Sequence, residues 1–226
     1  MLEDLEVTIH TIAVVGGTGK EGKGLAYRLA KAGYRVLIGS RSLERAQAAA
    51  AEVAVRLEGK GDVSGVTNPE AVLPAEVVVI TVPYSAHRET LAALKTNLQG
   101  KLVVDVTVPL VPPKVSQVFV PEAGSAAQET RQILGDNIQV VSAFQNISHE
   151  NLWNDQPVEC DVLVVGTSKA ARAAVIHLVQ AIGLVGWDAG PLENAVVVEW
   201  MTSILIGLNK QYHVKSSGIH ITGIPR

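Results

Sequence analysis

The stretch VVGGTGKEGKG, residues 14–24, joins an apolar segment to a loop rich in glycine. Gly17, Gly19 and Gly22 have the G-x-G-x-x-G spacing and lie between a predicted strand and a predicted helix. In such a unit Gly17 permits a tight turn, Gly19 lets the backbone approach a pyrophosphate, and Gly22 lets the helix pack closely on the strand. Amides at the start of the helix then face the phosphates. The stretch predicts a dinucleotide-binding βαβ unit, with a purely structural glycine turn as the alternative.

Apolar, β-branched runs alternate with helical patterns through the first two thirds of the chain. Strands are predicted at residues 11–15, 34–39, 76–82, 101–106 and 138–143, and we expect the last of these to end the sheet. A short apolar piece lies at 63–66, before the third of these strands. Helices are predicted at residues 20–32 and 42–58, and a long ordered loop that contains prolines at 109–124. This alternation indicates an α/β fold of the Rossmann type, which is a doubly wound parallel sheet with helices on both faces.

The pattern changes near residue 145, and we expect two domains. The first is a Rossmann domain at 1–144, and the second is a smaller C-terminal α/β domain at 145–226. In the smaller domain, strands are predicted at 161–165 and 184–188, and helices at 168–182 and 192–211. The last helix is mostly apolar, which is typical of a packed helix or of a contact between subunits.

The composition argues against several classes of protein. With 19 basic and 22 acidic residues the net charge is −3, so no basic field for nucleic acid is expected. No apolar run reaches the roughly 18 residues of a membrane span, and the acidic start lacks the layout of a signal peptide. Cys160 stands alone, and His10, His149 and Glu150 lack a metal-binding spacing. We expect a cytoplasmic protein that binds no metal, membrane or nucleic acid.

The end of the second strand discriminates between the two nicotinamide cofactors. An NAD site usually has an acidic residue there, whereas this strand ends in Ser40 and Arg41. Arg41 offers a cationic fork and Ser40 a hydroxyl group to a 2′-phosphate, and Thr18 is a third phosphate contact. Lys20 and Glu21, inside the glycine motif, are counted in the same site. The residues predict NADP, and the alternative for Arg41 is a solvated surface arginine.

Five stretches carry a resemblance to a known family. They are VVGGTGKEGKGLAYRLAKAGYRVLIGSRS (14–42), TVPYSAH (81–87), VVSAFQNI (140–147), DAGPLENA (188–195) and GIHITGI (218–224). In this order they resemble the NADPH-dependent coenzyme F420 reductases, also called NADP:F420 oxidoreductases. The resemblance spans almost the whole chain. The glycine loop alone would not separate this family from other NADP reductases, but its combination with the later motifs is more specific.

The resemblance implies reversible hydride transfer between NADP(H) and the deazaflavin coenzyme F420, with the two rings stacked in a cleft between the domains. Such a reaction depends on positioning, so no catalytic acid or base is expected. The family's ring pockets carry over to six positions: Thr81, Pro83, Tyr84, Ala143, Gln145 and Ile147. Val82, within the first of these segments, is counted among the cofactor-binding residues. Some relatives have a histidine at position 145, which argues against an obligatory proton donor there. The relatives are dimers, so a homodimer is expected.

Other interpretations stay open at this point. The chain could be an NADPH-dependent reductase of another acceptor, such as an imine, a ketone, a free flavin or ferric iron. It could also be a redox sensor that binds NADP(H) without turnover. His87 is either close to the nicotinamide or a helix-start residue with a partly solvated ring. Asp105 is either a ligand-binding residue at the carboxyl end of a strand or a hydrogen-bond partner of the following loop.

Overall fold

The structure is a computed structural model that describes residues 9–225, so the acidic start at residues 1–8 lies outside the described part. Within that part, eight strands form one sheet in the order β3-β2-β1-β4-β5-β6-β7-β8. The strands are β1 (Thr11–Val15), β2 (Arg35–Ser40), β3 (Val63–Thr67), β4 (Val77–Ile80), β5 (Leu102–Asp105), β6 (Gln139–Ser142), β7 (Asp161–Gly166) and β8 (Val185–Pro191).

The helices lie on both faces of this sheet. They are α1 (Lys20–Lys31), α2 (Leu43–Arg56), α3 (Asn68–Val72), α4 (Tyr84–Leu94), α5 (Ala126–Leu134), α6 (His149–Trp153), α7 (Lys169–Ala181) and α8 (Ala195–Gln211). A single turn of 3₁₀ helix, Leu192–Asn194, precedes α8, so the helix predicted from residue 192 begins three residues later. Each predicted strand and helix overlaps an observed one, and residues 109–124 contain neither, as expected for a loop.

The sheet is mostly parallel, and the predicted Rossmann-type fold is confirmed. Strands β1 to β6 run parallel, β7 pairs antiparallel with β6, and β8 pairs parallel with β7. The expectation that residues 138–143 end the sheet is wrong, because two further strands continue it. Residues 145–225 therefore extend the same sheet and cover it with α7 and α8, and the domain boundary at residue 144 stays a prediction.

Alternating side chains of the central strands enter two separate cores. In β1, Ile12 and Val14 belong to the core under α1, α2 and α7. Ala13 and Val15 belong to the core on the opposite face, which includes side chains of α3, α4, α5 and α8. Because both faces of a parallel sheet are covered by helices, its strands read as continuous apolar runs. The sequence of β1 follows this rule.

The carboxyl ends of the parallel strands meet at one edge of the sheet. The strand order reverses between β1 and β4, and in open α/β sheets ligands bind at such a switch point. This edge gathers the glycine loop after β1, residues 81–84 after β4, Asp105 at the end of β5 and Ala143 after β6. The fold thus brings together segments that are far apart in the chain.

A serine side chain caps the start of α2 at this edge. The Ser42 hydroxyl group accepts a hydrogen bond from the Arg45 amide at 3.3 Å, so Ser42 is the N-cap of α2, as the sequence predicts. Over residues 9–225, none of the helices combines the length and the apolar character that crossing a bilayer requires.

Candidate functional site

The turn after β1 depends on a glycine that the sequence pattern did not single out. The Gly17 amide donates to the Val14 carbonyl oxygen at 3.2 Å, which closes a four-residue turn. Gly16 has a φ of +71°, the left-handed value that the third residue of a type II turn requires. A Cβ atom on Gly17 would lie 2.7 Å from the Val14 carbonyl oxygen. Gly16 therefore provides the backbone conformation of the tight turn. Position 17 requires glycine because there is no space for a side chain.

Gly22 and Gly19 have different surroundings. A Cβ atom on Gly22 would lie 2.6 Å from the Gly17 Cα atom and 2.8 Å from the Thr81 Oγ1 atom. Gly22 therefore allows α1 to approach the glycine loop and the end of β4, as predicted. Gly19 is the N-cap residue of α1 with a φ of −76°, and a Cβ atom there would meet no atom within 4 Å. The open space beside Gly19 is where the sequence predicts a pyrophosphate.

A cavity of about 240 Å³ opens at this edge of the sheet. Five of its lining residues were predicted from the sequence: Thr18, Ser40, Arg41, Val82 and Pro83. Six others were missed by sequence reasoning: Gly16, Ser42, Arg45, Asn68, Ala86 and Thr90. The arginines are the titratable groups among these lining residues. The cavity thus has one cationic end and is otherwise uncharged.

Two arginine side chains form the cationic end. Arg41 and Arg45 are exposed, and neither forms an ion pair with another described residue. Ser40 is buried, and its hydroxyl oxygen accepts from the Ser42 amide at 3.2 Å. Both arginines also lie near the positive N-terminal end of α2. Arg45 follows Arg41 by four residues at a helix start, which is the signal that could have revealed it.

Asn68 connects the glycine loop to α3. Its side chain is buried, and Oδ1 accepts from the Gly16 amide at 3.4 Å. A Cβ atom on Gly39 would lie 2.8 Å from the same Oδ1 atom, so the end of β2 leaves room for this amide. Asn68 therefore fixes the loop from the side opposite to α1.

The remaining predicted residues of the loop and of the β4 turn have varied environments. Lys20 is exposed, whereas the Glu21 carboxyl group is buried, and burial raises its pKa to about 8. The Oε1 atom of Glu21 has no hydrogen-bond partner among the described residues. The Thr81 hydroxyl group donates to the Val15 carbonyl oxygen at 2.9 Å, which ties β4 to β1. The Tyr84 hydroxyl group donates to the Glu129 carboxylate at 3.3 Å.

The predicted residues after β6 are not among those lining the cavity. Ala143 and Ile147 are buried in the core under α1, α2 and α7. Gln145 is also buried, and its Nε2 atom donates to the Asp105 carbonyl oxygen and to the Ser142 hydroxyl oxygen, each at 2.7 Å. The role of these three residues in a ring pocket stays a prediction.

His87 lies in a buried cluster of charged groups. Its Nε2 atom is 2.8 Å from Asp105 Oδ2, and its Nδ1 atom is 3.2 Å from Glu129 Oε1. The side chain is fully buried, so the expectation of a partly solvated ring is wrong. Burial by itself lowers the pKa of the imidazole, but the Asp105 charge and the hydrogen bonds to both carboxylates raise it to about 9. The two carboxylates therefore favour the protonated form of the His87 ring.

Asp105 forms the structural hydrogen bond that was expected as one of its two roles. Its Oδ1 atom accepts from the Thr107 amide at 2.9 Å, in the loop after β5. Burial alone would raise the pKa of Asp105, but His87 and the Thr130 and Thr107 hydrogen bonds hold it below its usual value. Asp105 is fully buried and does not line the cavity.

Glu199 is a second carboxyl group that sequence reasoning missed. It lies in the apolar helix α8, fully buried, and accepts from the Ala126 and Ala127 amides at 2.7 and 3.0 Å. It thus caps the N-terminus of α5 from another helix. Burial raises the pKa of this carboxyl group to about 8. An isolated acid in a helix of apolar residues was the signal available in the sequence.

No cluster of three or more potential metal ligands occurs within the described part of the chain. Cys160 is buried, and burial raises the pKa of its thiol.

Comparisons with known proteins find relatives named as F420-dependent NADP reductases. A family model described as NADP oxidoreductase, coenzyme F420-dependent, matches residues 11–109. An F420-dependent NADP reductase of Methanocaldococcus jannaschii is 40% identical over 94% of this chain and 98% of that protein. One of Methanothermobacter thermautotrophicus is 38% identical over 98% of both chains. A crystal structure from Arthrobacter sp. FB24, provisionally assigned as an F420-dependent NADP reductase, has a TM-score of 0.78 at 25% identity, covering 94% of this chain and 99% of that one.

Two glycine substitutions should separate folding from binding. We expect Gly19→Val to leave the free energy of unfolding nearly unchanged, because its Cβ position is open and its φ is negative. The side chain would fill the predicted pyrophosphate position, so dinucleotide affinity should fall by roughly tenfold or more. Gly22→Val should instead destabilise the fold, because its Cβ would collide with backbone. Urea unfolding and NADPH titration measure both effects, and undiminished affinity in Gly19→Val would place the phosphates elsewhere.

The charge on His87 should make stability depend on pH. A histidine whose folded pKa is raised to about 9 stabilises the fold fully below its unfolded pKa of 6.5. This contribution is lost as the pH rises through about 9, with a total on the order of 3 kcal/mol.

Urea unfolding at several pH values between 6 and 10 tests this dependence on wild type and His87→Gln. Buried acids such as Glu21 and Glu199 also change charge in this range, so the quantity of interest is the difference between the two proteins. The destabilisation caused by His87→Gln should shrink as the pH rises. A difference that is constant with pH would mean that His87 is uncharged in the fold.

Proposed function

The chain belongs to the family of F420-dependent NADP reductases, and from this premise we propose that it transfers a hydride reversibly between NADP(H) and coenzyme F420. The observation that carries the proposal is the cavity at the strand switch point, which joins the glycine loop to Arg41 and Arg45, two arginines without an ion-pair partner among residues 9–225. Relatives named for this activity match almost the whole chain at 38 to 41% identity.

The residues of the cavity suit NADP. The open side of Gly19 and the amides at the start of α1 would receive the diphosphate. Arg41, Arg45 and the hydroxyl groups of Thr18 and Ser40 would hold the 2′-phosphate, since guanidinium groups bind phosphate oxygens in a bidentate manner.

The other end of the cavity would hold the nicotinamide. Val82 and Pro83 line it, and Tyr84 begins α4 directly after them. The cofactor supplies the hydride itself, and the acceptor ring takes it up. The chain contributes binding, orientation and exclusion of water, which are the main requirements of a transfer between two stacked rings. The uncharged lining at this end agrees with a mechanism that uses no side chain as acid or base.

We place the deazaflavin beside the segment after β6, with Ala143, Gln145 and Ile147 as its contacts. The support is the family resemblance, together with the buried Gln145 Oε1 atom, which has no hydrogen-bond partner among the described residues. Residues 1–144 would then form the NADP-binding unit, and residues 145–226 would complete the F420 site.

We also propose that the protein acts as a homodimer in the cytoplasm. Helix α8 exposes Val197, Ile204 and Leu208 on one side while its other side is packed on the sheet, so a second copy could cover the exposed apolar side. The single cysteine of the sequence agrees with a reducing compartment. Sedimentation equilibrium tests the assembly, and a monomer at micromolar concentration would contradict it.

The direct experiment mixes the protein, NADPH and F420 without oxygen and follows the deazaflavin absorbance. We expect bleaching of F420 that depends on enzyme, and its return when NADP⁺ is added to reduced F420. Free flavin, a cyclic imine and a ketone serve as alternative acceptors in parallel. Turnover of one of these without F420 turnover would favour another reductase, and tight NADPH binding without any turnover would favour a sensor.

The arginine pair should determine the preference for NADPH. Each of Arg41→Ala and Arg45→Ala should raise the KM for NADPH about tenfold or more, because one charge-assisted contact contributes roughly 1.5–3 kcal/mol. The KM for NADH should change little. Arg35→Ala, at the opposite end of β2, is the matched control and should leave both constants unchanged. Equal losses with NADPH and NADH would remove the pair from the phosphate site.

A further inference from the structure

Four buried side chains form one connected unit next to the cavity, and none of them lines it. They are His87 of α4, Asp105 of β5, and Glu129 and Thr130 of α5, and we call them the His87 cluster. His87 contacts both carboxylates, and the Thr130 hydroxyl group donates to the same Asp105 oxygen that faces His87. The cluster joins three elements at the edge of the sheet where the cavity opens.

A chain of hydrogen bonds leads from this cluster to the cavity wall. Asp105 Oδ1 accepts from the Thr107 amide at 2.9 Å, and the Thr107 hydroxyl group donates to the Val82 carbonyl oxygen at 3.4 Å. Val82 lines the cavity next to the glycine loop, where a Cβ atom on Gly16 would lie 2.5 Å from its Cγ1 atom. The position of Val82 thus depends on where Asp105 is held.

The helix that carries His87 also forms part of the wall. Ala86 and Thr90, on either side of His87 in α4, line the cavity, as does Pro83 just before the helix. His87 itself points away from the cavity into the cluster, so it holds this helix against β5 and α5. A shift of α4 would move these three lining residues together.

The cluster also contacts the segment after β6. Gln145 Nε2 donates to the Asp105 carbonyl oxygen at 2.7 Å. Asp105 is therefore bonded through its side chain to the β4 turn and through its main chain to the segment proposed for the deazaflavin. One buried residue connects the walls of both proposed ring pockets.

The two carboxylates that contact His87 are balanced by Arg88 and by the ring itself only when the ring is protonated. Asp105 faces it from β5, Glu129 from α5 and Glu199 from α8, while Tyr84 and Arg88 are the neighbouring groups of α4. Arg88 pairs with Glu129 at 3.2 Å from the exposed side. Loss of the proton on His87 would leave the fully buried Asp105 carboxylate without a cation, and an uncompensated buried charge forces a local rearrangement.

We propose that His87 is a positioning residue for hydride transfer, which fixes Val82 and the first turn of α4 through Asp105 and thereby sets the placement of the nicotinamide ring. The inference rests on the proposed function and deepens it. Buried ion pairs are weak evidence for stability alone, because apolar replacements of similar volume often stabilise equally well. The His87 cluster connects the cavity wall at Val82 to the segment proposed for the deazaflavin, so positioning of the two rings is a role for it beyond stability.

The test measures the single-turnover rate constant of hydride transfer from NADPH to F420, at saturation and between pH 7 and 10. In wild type we expect the rate constant to fall as the pH rises through about 9, where His87 loses its proton. In His87→Gln it should be about tenfold lower at pH 7 and lack this alkaline decline, since small misplacements of reacting atoms are costly. The Kd for NADPH should stay within about twofold, because the phosphate contacts are remote from the change.

A second variant and a control separate positioning from general destabilisation. Asp105→Asn retains an acceptor for the Thr107 amide but removes the charge that stabilises the imidazolium, so the alkaline decline should move toward neutral pH. This variant also carries the test if His87→Gln does not fold. Arg131→Met removes hydrogen bonds to the Gly135 and Ile138 carbonyl oxygens at the far end of α5. It should lower stability while keeping the wild-type rate constant and pH profile.

The outcomes are distinct. A wild-type rate and pH profile in His87→Gln would overturn the inference, as would an equal loss of rate in Arg131→Met. If wild type transfers no hydride to F420, the proposed function fails. The fluorescence of bound NADPH then tests whether His87 positions the nicotinamide ring. A lower nicotinamide emission in His87→Gln than in wild type, at unchanged NADPH affinity, would support the positioning role. Unchanged emission would overturn it.

Discussion

The close approach of α1 to the sheet is the constraint on which the site depends. Gly22 lies against the Gly17 backbone and the Thr81 hydroxyl group, and no side chain larger than a hydrogen atom can be accommodated there. Because α1 is seated so closely, its first amides and the open side of Gly19 face the space between β1 and β4. Thr81 completes this contact by donating to Val15. The shape of the proposed dinucleotide site is thus a consequence of packing between one helix and two strands.

Buried polar and charged side chains hold the same edge of the sheet farther along. The N-terminus of α5 would leave amides without partners in the core, and Glu199 supplies their acceptor from α8. Asp105 would be a costly isolated carboxylate at the end of β5, and His87 supplies its cation. These groups compensate one another across four elements. The contacts at the wall of the cavity therefore depend on the protonation states of these groups.

The last third of the chain returns to this edge after extending the sheet. Strand β7 pairs antiparallel with β6, and α8 then packs on the face that carries α4 and α5. Asn146 donates to the Val198 carbonyl oxygen at 2.9 Å, and Thr202 donates to the Gln145 carbonyl oxygen at 2.9 Å. The segment after β6 is therefore held between β5 and α8. This arrangement brings residues late in the chain to the edge of the sheet where the proposed site begins.

The sequence by itself determined the features that depend on short spacing. The order of strands and helices, the glycine loop and the Ser40–Arg41 pair all follow from periodicity and from residues a few positions apart. Even the capping box of α3, in which Thr67 and Glu70 bond each other, is a local pattern that could have been read. Only the tertiary structure decided that His87 is buried against Glu129, which lies 42 residues away in the chain. The same holds for Glu199, which accepts from the Ala126 amide 73 residues away. The antiparallel pairing of β7 with β6 is likewise a feature that only the tertiary structure decided. Such contacts arise because distant elements pack on one sheet, and local spacing does not encode which polar groups then meet.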